Sequence, residues 1–317
     1  MNLPEWLAFI ERQHAKPIDL GLDRVRRVGQ ALDQRQSCPV ILVGGTNGKG
    51  STCAMLERIL LCAGYRVGLY TSPHLLAYNE RVRVDGRPVD DVALCEGFAR
   101  VESARVSAGG TALTYFEFGT LAAWEVFAAH PLDAIILEVG LGGRLDATNL
   151  FEPDVSIVTS IDFDHMDYLG ATRDEIGFEK AGIFRSLRPA VCGDADPPQS
   201  LLEHAWSIGA DLQVIGEDFG FIRDAGQWQY WGRGGRKGSL AFPALRGGGQ
   251  LSNAACVLTA LDLLWQRLPV AMGDIRRGLS EVELPGRFQV VPASPGWPTV
   301  VLDVAHNPQA ARALADS

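Results

Sequence analysis

Gly45-Thr46-Asn47-Gly48-Lys49-Gly50-Ser51-Thr52 links an apolar run, 39–44, to a helical stretch, 52–63. The glycines let the backbone curl so that its N–H groups point inward. A helix start adds partial positive charge, and Lys49 adds a full one. That combination suits a triphosphate. The strict pattern GxxxxGK[ST] is not met, because Val43 stands at its first glycine and Gly50 follows the lysine. Gly50 has no hydroxyl for a magnesium ion, so another residue must supply one.

Three stretches offer metal ligands. Tyr70-Thr71-Ser72-Pro73-His74, Leu137-Glu138-Val139-Gly140 and Asp162-Phe163-Asp164-His165 each close an apolar run. A hydroxyl, a carboxylate and an imidazole beside ATP suit magnesium, with waters completing the octahedron. Histidine is an unusual magnesium ligand, and a hydrogen-bonded loop residue is the plainer reading of His165 alone. Lysine is scarce: Lys16, Lys49, Lys180 and Lys237 are the four among 29 basic residues. Lys180 lies in Phe178-Glu179-Lys180-Ala181-Gly182. It reads either as a solvated helix lysine or as an amine that, uncharged, reacts with carbon dioxide to give a carbamate. Arginine could not do the second.

The elements that must position these groups alternate. Residues 3–35 read as helical, with a second helix opening near Asp19 as N-cap. Strands are expected at 39–45, 66–72, 133–140, 154–161 and 189–193, and helices at 52–63, 90–107, 115–129 and 172–186. Unalternating apolar strands imply burial on both faces, hence a mostly parallel sheet with flanking helices. Residues 211–243 read as short hairpins split by Gly and Asp. Helices at 252–266 and 271–281 follow, then strands 288–291 and 299–304 and a helix from Asn307-Pro308 to Ser317.

The chain has 317 residues, 47% hydrophobic and 21% charged, with net charge −9. A disordered chain, a coiled coil and a general nucleic-acid binder are excluded. No apolar run approaches ~20 residues, so no membrane partner is expected. The N-terminus lacks a basic start and an apolar core, and the six cysteines form no CxxC pair. A cytoplasmic chain with reduced cysteines is the expectation.

In order along the chain come GTNGKGST, TSPHL with NERVRVDG, TYFEF, LEVGLGGRLDATN, DHMDYLG, EKAGIFR, LPGRFQ and DVAHNP. This series resembles the bifunctional folylpolyglutamate synthase/dihydrofolate synthase family, within the Mur-ligase-like ATP-dependent amide ligases. The phosphate-loop variant with Gly50 is the family's own. The resemblance implies a P-loop-type α/β fold, ATP with magnesium at two sites, and L-glutamate joined to dihydropteroate or reduced folates through an acyl phosphate. A monomer is expected. Thr46, Asn47, Gly48, Lys49, Gly50 and Ser51 would hold the phosphates. Ser72 would bind the first magnesium, Glu138 would lie between two, and His165 would bind the second. Lys180 would be carbamylated. Asn253 and Arg287 would contact nucleotide, and Asp303 and His306 would approach it from a second domain.

The folate pocket implied by the resemblance uses Thr114, Tyr115, Phe116, Glu117, Leu145, Asp146 and Ala147, with Asp19 on its edge. A flat heteroaromatic ring wants an aromatic face and a carboxylate, which Phe116 with Glu117 or Asp146 could provide. Tyr115 and Phe116 read equally as helix core. Residues 1–285 are expected to form the ATP-binding domain. Residues 286–317 would begin an incomplete Rossmann-like ligase domain, leaving Val300, Val301 and Leu302 on an open sheet. Three other readings stand beside the ligase: a Mur-type enzyme on peptidoglycan precursors, a non-catalytic ATP-binding fragment, and a kinase.

Overall fold

The computed structural model describes residues 1–32, 37–294, 296 and 298–315. Helix α1 (Leu3–Glu11) starts on a capping box between Asn2 and Glu5. Helix α2 (Asp23–Gly29) follows a non-helical connector. The two helices expected within 3–35 are both present but shorter, the second opening at Asp23 rather than near Asp19, and positions 33–35 lie outside the described residues. Asp19 does not cap α2. Leu22 holds the N-cap position without a side-chain bond, and the Asp19 carboxylate pairs with Arg24 Nη1 at 2.6 Å. The ion pair claimed the carboxylate that capping would have used.

Strand β1 (Val40–Gly44) is buried throughout. Val40 and Leu42 face one core, while Ile41 and Val43 face the other. That double burial explains the unbroken apolar run. Helix α3 (Lys49–Cys62) begins three residues earlier than expected, directly in the glycine-rich loop. Strand β2 (Val67–Tyr70) follows, then a 3-10 turn (Tyr78–Arg81), β3 (Val82–Val84) and β4 (Arg87–Pro88). Helices α4 (Asp91–Ser107) and α5 (Tyr115–Ala128) are capped by Asp90 and Thr114. Next come β5 (Ala134–Glu138), a 3-10 turn (Ala147–Leu150), β6 (Val155–Val158), α6 (Met166–Leu169), α7 (Arg173–Ala181), β7 (Pro189–Cys192) and α8 (Gln199–Ile208).

Strand β8 (Asp211–Val214) was expected in a hairpin. It instead pairs in parallel with β7 as the sheet's edge. The preceding helix α8 makes the crossover, so β8 continues the βαβ pattern. The hairpin region is β9 (Gly220–Asp224), β10 (Gln227–Gly232) and β11 (Gly235–Leu240), a separate antiparallel sheet. Helices α9 (Gln250–Leu263) and α10 (Met272–Glu281) pack with α3 on one face of the main sheet.

The main sheet runs β4-β3-β2-β5-β1-β6-β7-β8, with antiparallel pairing only at β2–β3 and β3–β4, so that β3 alone runs against the rest. The chain leaves β1 toward β2 on one side, and from β5 it crosses β1 to reach β6. This reversal places a crevice at the carboxyl ends of β1, β5 and β6. Strands β12 (Gln289–Val291) and β13 (Val300–Leu302) form a two-stranded antiparallel sheet with every residue exposed. Val300, Val301 and Leu302 thus lie open, as expected. Helix α11 (Pro308–Ala315) ends the described chain, and the expected extension to Ser317 lies outside the described residues. No helix among the described residues is long and apolar enough to cross a membrane. All six cysteines are free, and Cys38, Cys53, Cys192 and Cys256 are buried.

Candidate active site

Gly48, at φ 89°, is the N-cap of α3, and no side chain caps the helix. The first-turn N–H groups are left to face the crevice. Gly48 also sits tight against α9: a β-carbon there would lie 2.5 Å from Asn253 Oδ1 and would have to push that side chain aside. Lys49 folds back over the loop, its Nζ donating to the carbonyls of Gly45 (2.9 Å) and Thr46 (3.0 Å). Thr159 Oγ1 donates to the Asn47 carbonyl at 2.7 Å, and Thr46 N donates to the Ser160 carbonyl at 2.7 Å. The tip of β6 thereby fixes the loop's curl.

Around this loop one polar cavity of about 130 Å³ collects Thr46, Asn47, Gly48, Lys49, Gly50, Ser72, Glu138, His165, Lys180, Arg287 and His306. Glu138, at the tip of β5, is buried and accepts from Ser72 N at 3.0 Å. Burial pushes its carboxyl upward in pKa, opposed chiefly by Lys49. Burial likewise lowers Lys49, opposed by Glu138. Lys180, on α7, is buried rather than solvated. Burial and the neighbouring Lys49 bring its pKa down to about 7, with Asp164 opposing. His165 is half exposed at φ 48°, its Nε2 3.8 Å from Asp164 Oδ1.

A second cavity of about 120 Å³ is lined by Ser51, Arg246–Gly249, Asn253, Arg287, Phe288 and Asp303. Asp303 accepts from Phe288 N and Ala305 N, both at 2.8 Å, which ties β13 to the Arg287 turn. A third cavity, about 300 Å³, is lined by Asp19, Thr114, Tyr115, Phe116, Glu117, Leu145, Asp146 and Ala147. Tyr115 and Phe116 are half-buried wall residues rather than core. Asp146 is already engaged: it accepts from Thr148 N, Thr148 Oγ1 and Leu141 N at 2.6–2.9 Å. Ser72, Pro73, Gly140 and Leu141 line both this cavity and the polar one. The two spaces therefore lie side by side against one wall.

Several residues of the site were not singled out from sequence. Asp164 sits between His165 and His306, and Arg24 joins Asp19 to Glu117. Arg81 lines the large cavity and covers the Tyr78 and Tyr115 rings. Asp164 and Arg81 lay inside recognised motifs. Arg24 had no such signal.

A phosphate loop at a sheet switch point, beside an apolar cavity, fits an ATP-dependent ligase. Residues 95–216 match the Mur ligase middle domain. The chain belongs to the dihydrofolate synthase/folylpolyglutamate synthase family. It is 47% identical to the Escherichia coli (strain K12) dihydrofolate synthase/folylpolyglutamate synthase over 98% of this chain and 71% of that one. The structure of E. coli FolC in complex with DHPP and ADP superposes with TM-score 0.93 at 46% identity, covering all of this chain and 74% of that one. A bifunctional folylpolyglutamate synthase/dihydrofolate synthase with Mn, AMPPNP and L-glutamate bound gives 0.89 at 45%, with the same coverage.

Proposed function

We propose that this chain joins L-glutamate to dihydropteroate, forming dihydrofolate, and to the glutamate tail of reduced folates, using ATP. The observation that carries the reading is the shared wall of Ser72, Pro73, Gly140 and Leu141. An acceptor whose ring fills the apolar cavity would send its carboxylate past that wall to the phosphate loop. Its oxygen attacks the terminal phosphorus of ATP, giving an acyl phosphate and ADP. The amine of glutamate then attacks the acyl carbon, and phosphate leaves. A free carboxylate is a poor acyl donor, so activation must come first.

Thr46 to Ser51 hold the phosphates in this reading, with Lys49 on the terminal ones and Asn253 and Arg287 on the nucleotide. Asp303 and His306 approach from residues 286–317, which we assign to a second unit beside the ATP-binding domain of 1–285. The exposure of every β12 and β13 residue supports that division. Among the described residues no three His, Cys, Asp or Glu side chains form a metal cage. The donors fit magnesium held partly by phosphate and water: Ser72 and Glu138 at one site, Glu138 and His165 at a second. When bound, magnesium held by these residues would supply charge neutralisation on the transferring phosphoryl group. Lys180, half neutral near pH 7, suits carbamylation, which would turn a buried cation into an anion facing those ligands.

The test incubates the chain with ATP, magnesium and L-glutamate, with dihydropteroate or tetrahydrofolate as acceptor. A product heavier by one glutamyl residue, with ADP and phosphate released in equal amounts, is expected from both. ADP release without ligated product would refute the assignment.

A further inference from the structure

Asn307 is only 8% exposed and lies 260 residues from Asn47, yet the two side chains exchange reciprocal hydrogen bonds. Asn307 Nδ2 donates to Asn47 Oδ1 (3.0 Å) and to Asp164 Oδ2 (3.2 Å). Its Oδ1 accepts from Asn47 Nδ2 (3.1 Å) and from Ala310 N (2.9 Å). An asparagine amide has two donors and two acceptor positions, and all four are used. One side chain thus joins the phosphate loop, the turn carrying His165, and the start of α11.

A second neutral contact, Asn47 Nδ2 donating to Gln309 Oε1 at 2.5 Å, joins the loop to α11 but does not reach the Asp164–His165 turn, and the charged contacts nearby are weaker candidates for this role. His306 Nε2 stands 3.9 Å from Asp164, and Arg312 stands 3.7 Å from Asp162, all with solvent access. Exposed ion pairs of this kind contribute little. Asn47, by contrast, is braced through its own backbone by Thr159 and Ser160. A pull on its side chain is passed to the whole loop. A neutral amide pair exchanges with water at small net cost, so the contact can form and release within a catalytic cycle.

We infer that Asn307 is a positioning residue for phosphoryl transfer, a neutral latch. It holds the phosphate loop and the Asp164–His165 turn in register when residues 303–315 close on them. The inference rests on the function proposed above.

Asn307→Ser tests it in the full chain. Serine still caps α11 but is too short to reach Asn47 and Asp164 together. An unchanged Tm, an unchanged KM for dihydropteroate and a kcat reduced about tenfold are expected, the scale of one net hydrogen bond. Amide exchange over 303–312 should slow when ADP and magnesium are added to the wild type, and should not in the variant. Asn47→Ala and Asn307→Ala should combine non-additively. Wild-type kcat and exchange in Asn307→Ser would overturn the latch. So would a fall in Tm accompanied by a rise in KM, which would make Asn307 merely structural. A wild type that fails to ligate refutes the function instead, and the exchange measurement then still decides the latch.

Discussion

A β-carbon placed on Gly50 would lie 3.7 Å from Glu138 Oε1 and 3.9 Å from Arg287 Nη2. The residue after the loop lysine therefore abuts a buried carboxylate at van der Waals distance. In loops of the GxxxxGK[ST] type that residue carries a hydroxyl for magnesium. Here the opposite wall, at the tip of β5, carries Glu138, which accepts from the backbone N–H of Ser72, the residue proposed to supply that hydroxyl.

Glu138→Gln keeps the shape of this arrangement and removes its charge. Lys49 then lacks its main counter-charge, and a cation lacks its carboxylate. A kcat reduction of about 100-fold or more is expected in steady-state ligation, the scale of losing one electrostatic stabiliser. Gly50→Ala makes only ordinary van der Waals contacts, so it should fold and bind ATP. An equal loss in both variants would mean that space, not charge, governs the site.

Lys180 gives a pH signature. Its pKa, lowered by burial to about 7 from 10.5, means that the folded chain sheds a proton the unfolded chain keeps. Stability contributed by this group rises with pH between those values and is lost as pH falls through about 7. Lys180→Met should therefore stabilise the chain more at pH 6 than at pH 9, read as urea midpoints against wild type. Equal gains at both pH values would show an ordinary lysine. Lys180→Arg should abolish ligation at every pH.

Phe116 depends on Gly140. A β-carbon on residue 140 would lie 2.5 Å from Phe116 Cζ, so Gly140→Ala must push the ring aside. Isothermal titration should show dihydropteroate affinity down about tenfold, the scale of one displaced aromatic contact, with ADP affinity unchanged. Weakened ADP binding instead would place Gly140 in the phosphate site alone.

Arg24 pairs with Asp19 at 2.6 Å and with the buried Glu117 at 3.1 Å. Arg24→Ala leaves Glu117 without its counter-charge and frees the Ile18–Gly21 edge of the cavity. KM for dihydropteroate should rise several-fold while KM for ATP stays level. Arg24→Lys should restore only part, because a lysine cannot fork between two carboxylates.

Local order was readable from residue types. Buried parallel strands announce themselves by unbroken runs such as Val40 to Val43. The loop glycines and Lys49 announce an anion, and the motif strings placed Glu138, His165 and Lys180 in one site. Chain neighbours decide the strands and the loop, so the linear pattern carries them, whereas the grouping of Glu138, His165 and Lys180 rests on the family's motif order. What Asp19 and Asp146 bond to is a different kind of question. A carboxylate can cap a helix, pair with arginine or face a ligand, and whichever partner the fold brings nearest wins. Arg24 took Asp19 from the α2 cap, and Thr148 with Leu141 took Asp146. Strand β8 paired with the sheet because α8 carried it there, against a texture that suggested a hairpin. The Asn47–Asn307 pair spans 260 positions, and only tertiary closure could show that one amide had found the other.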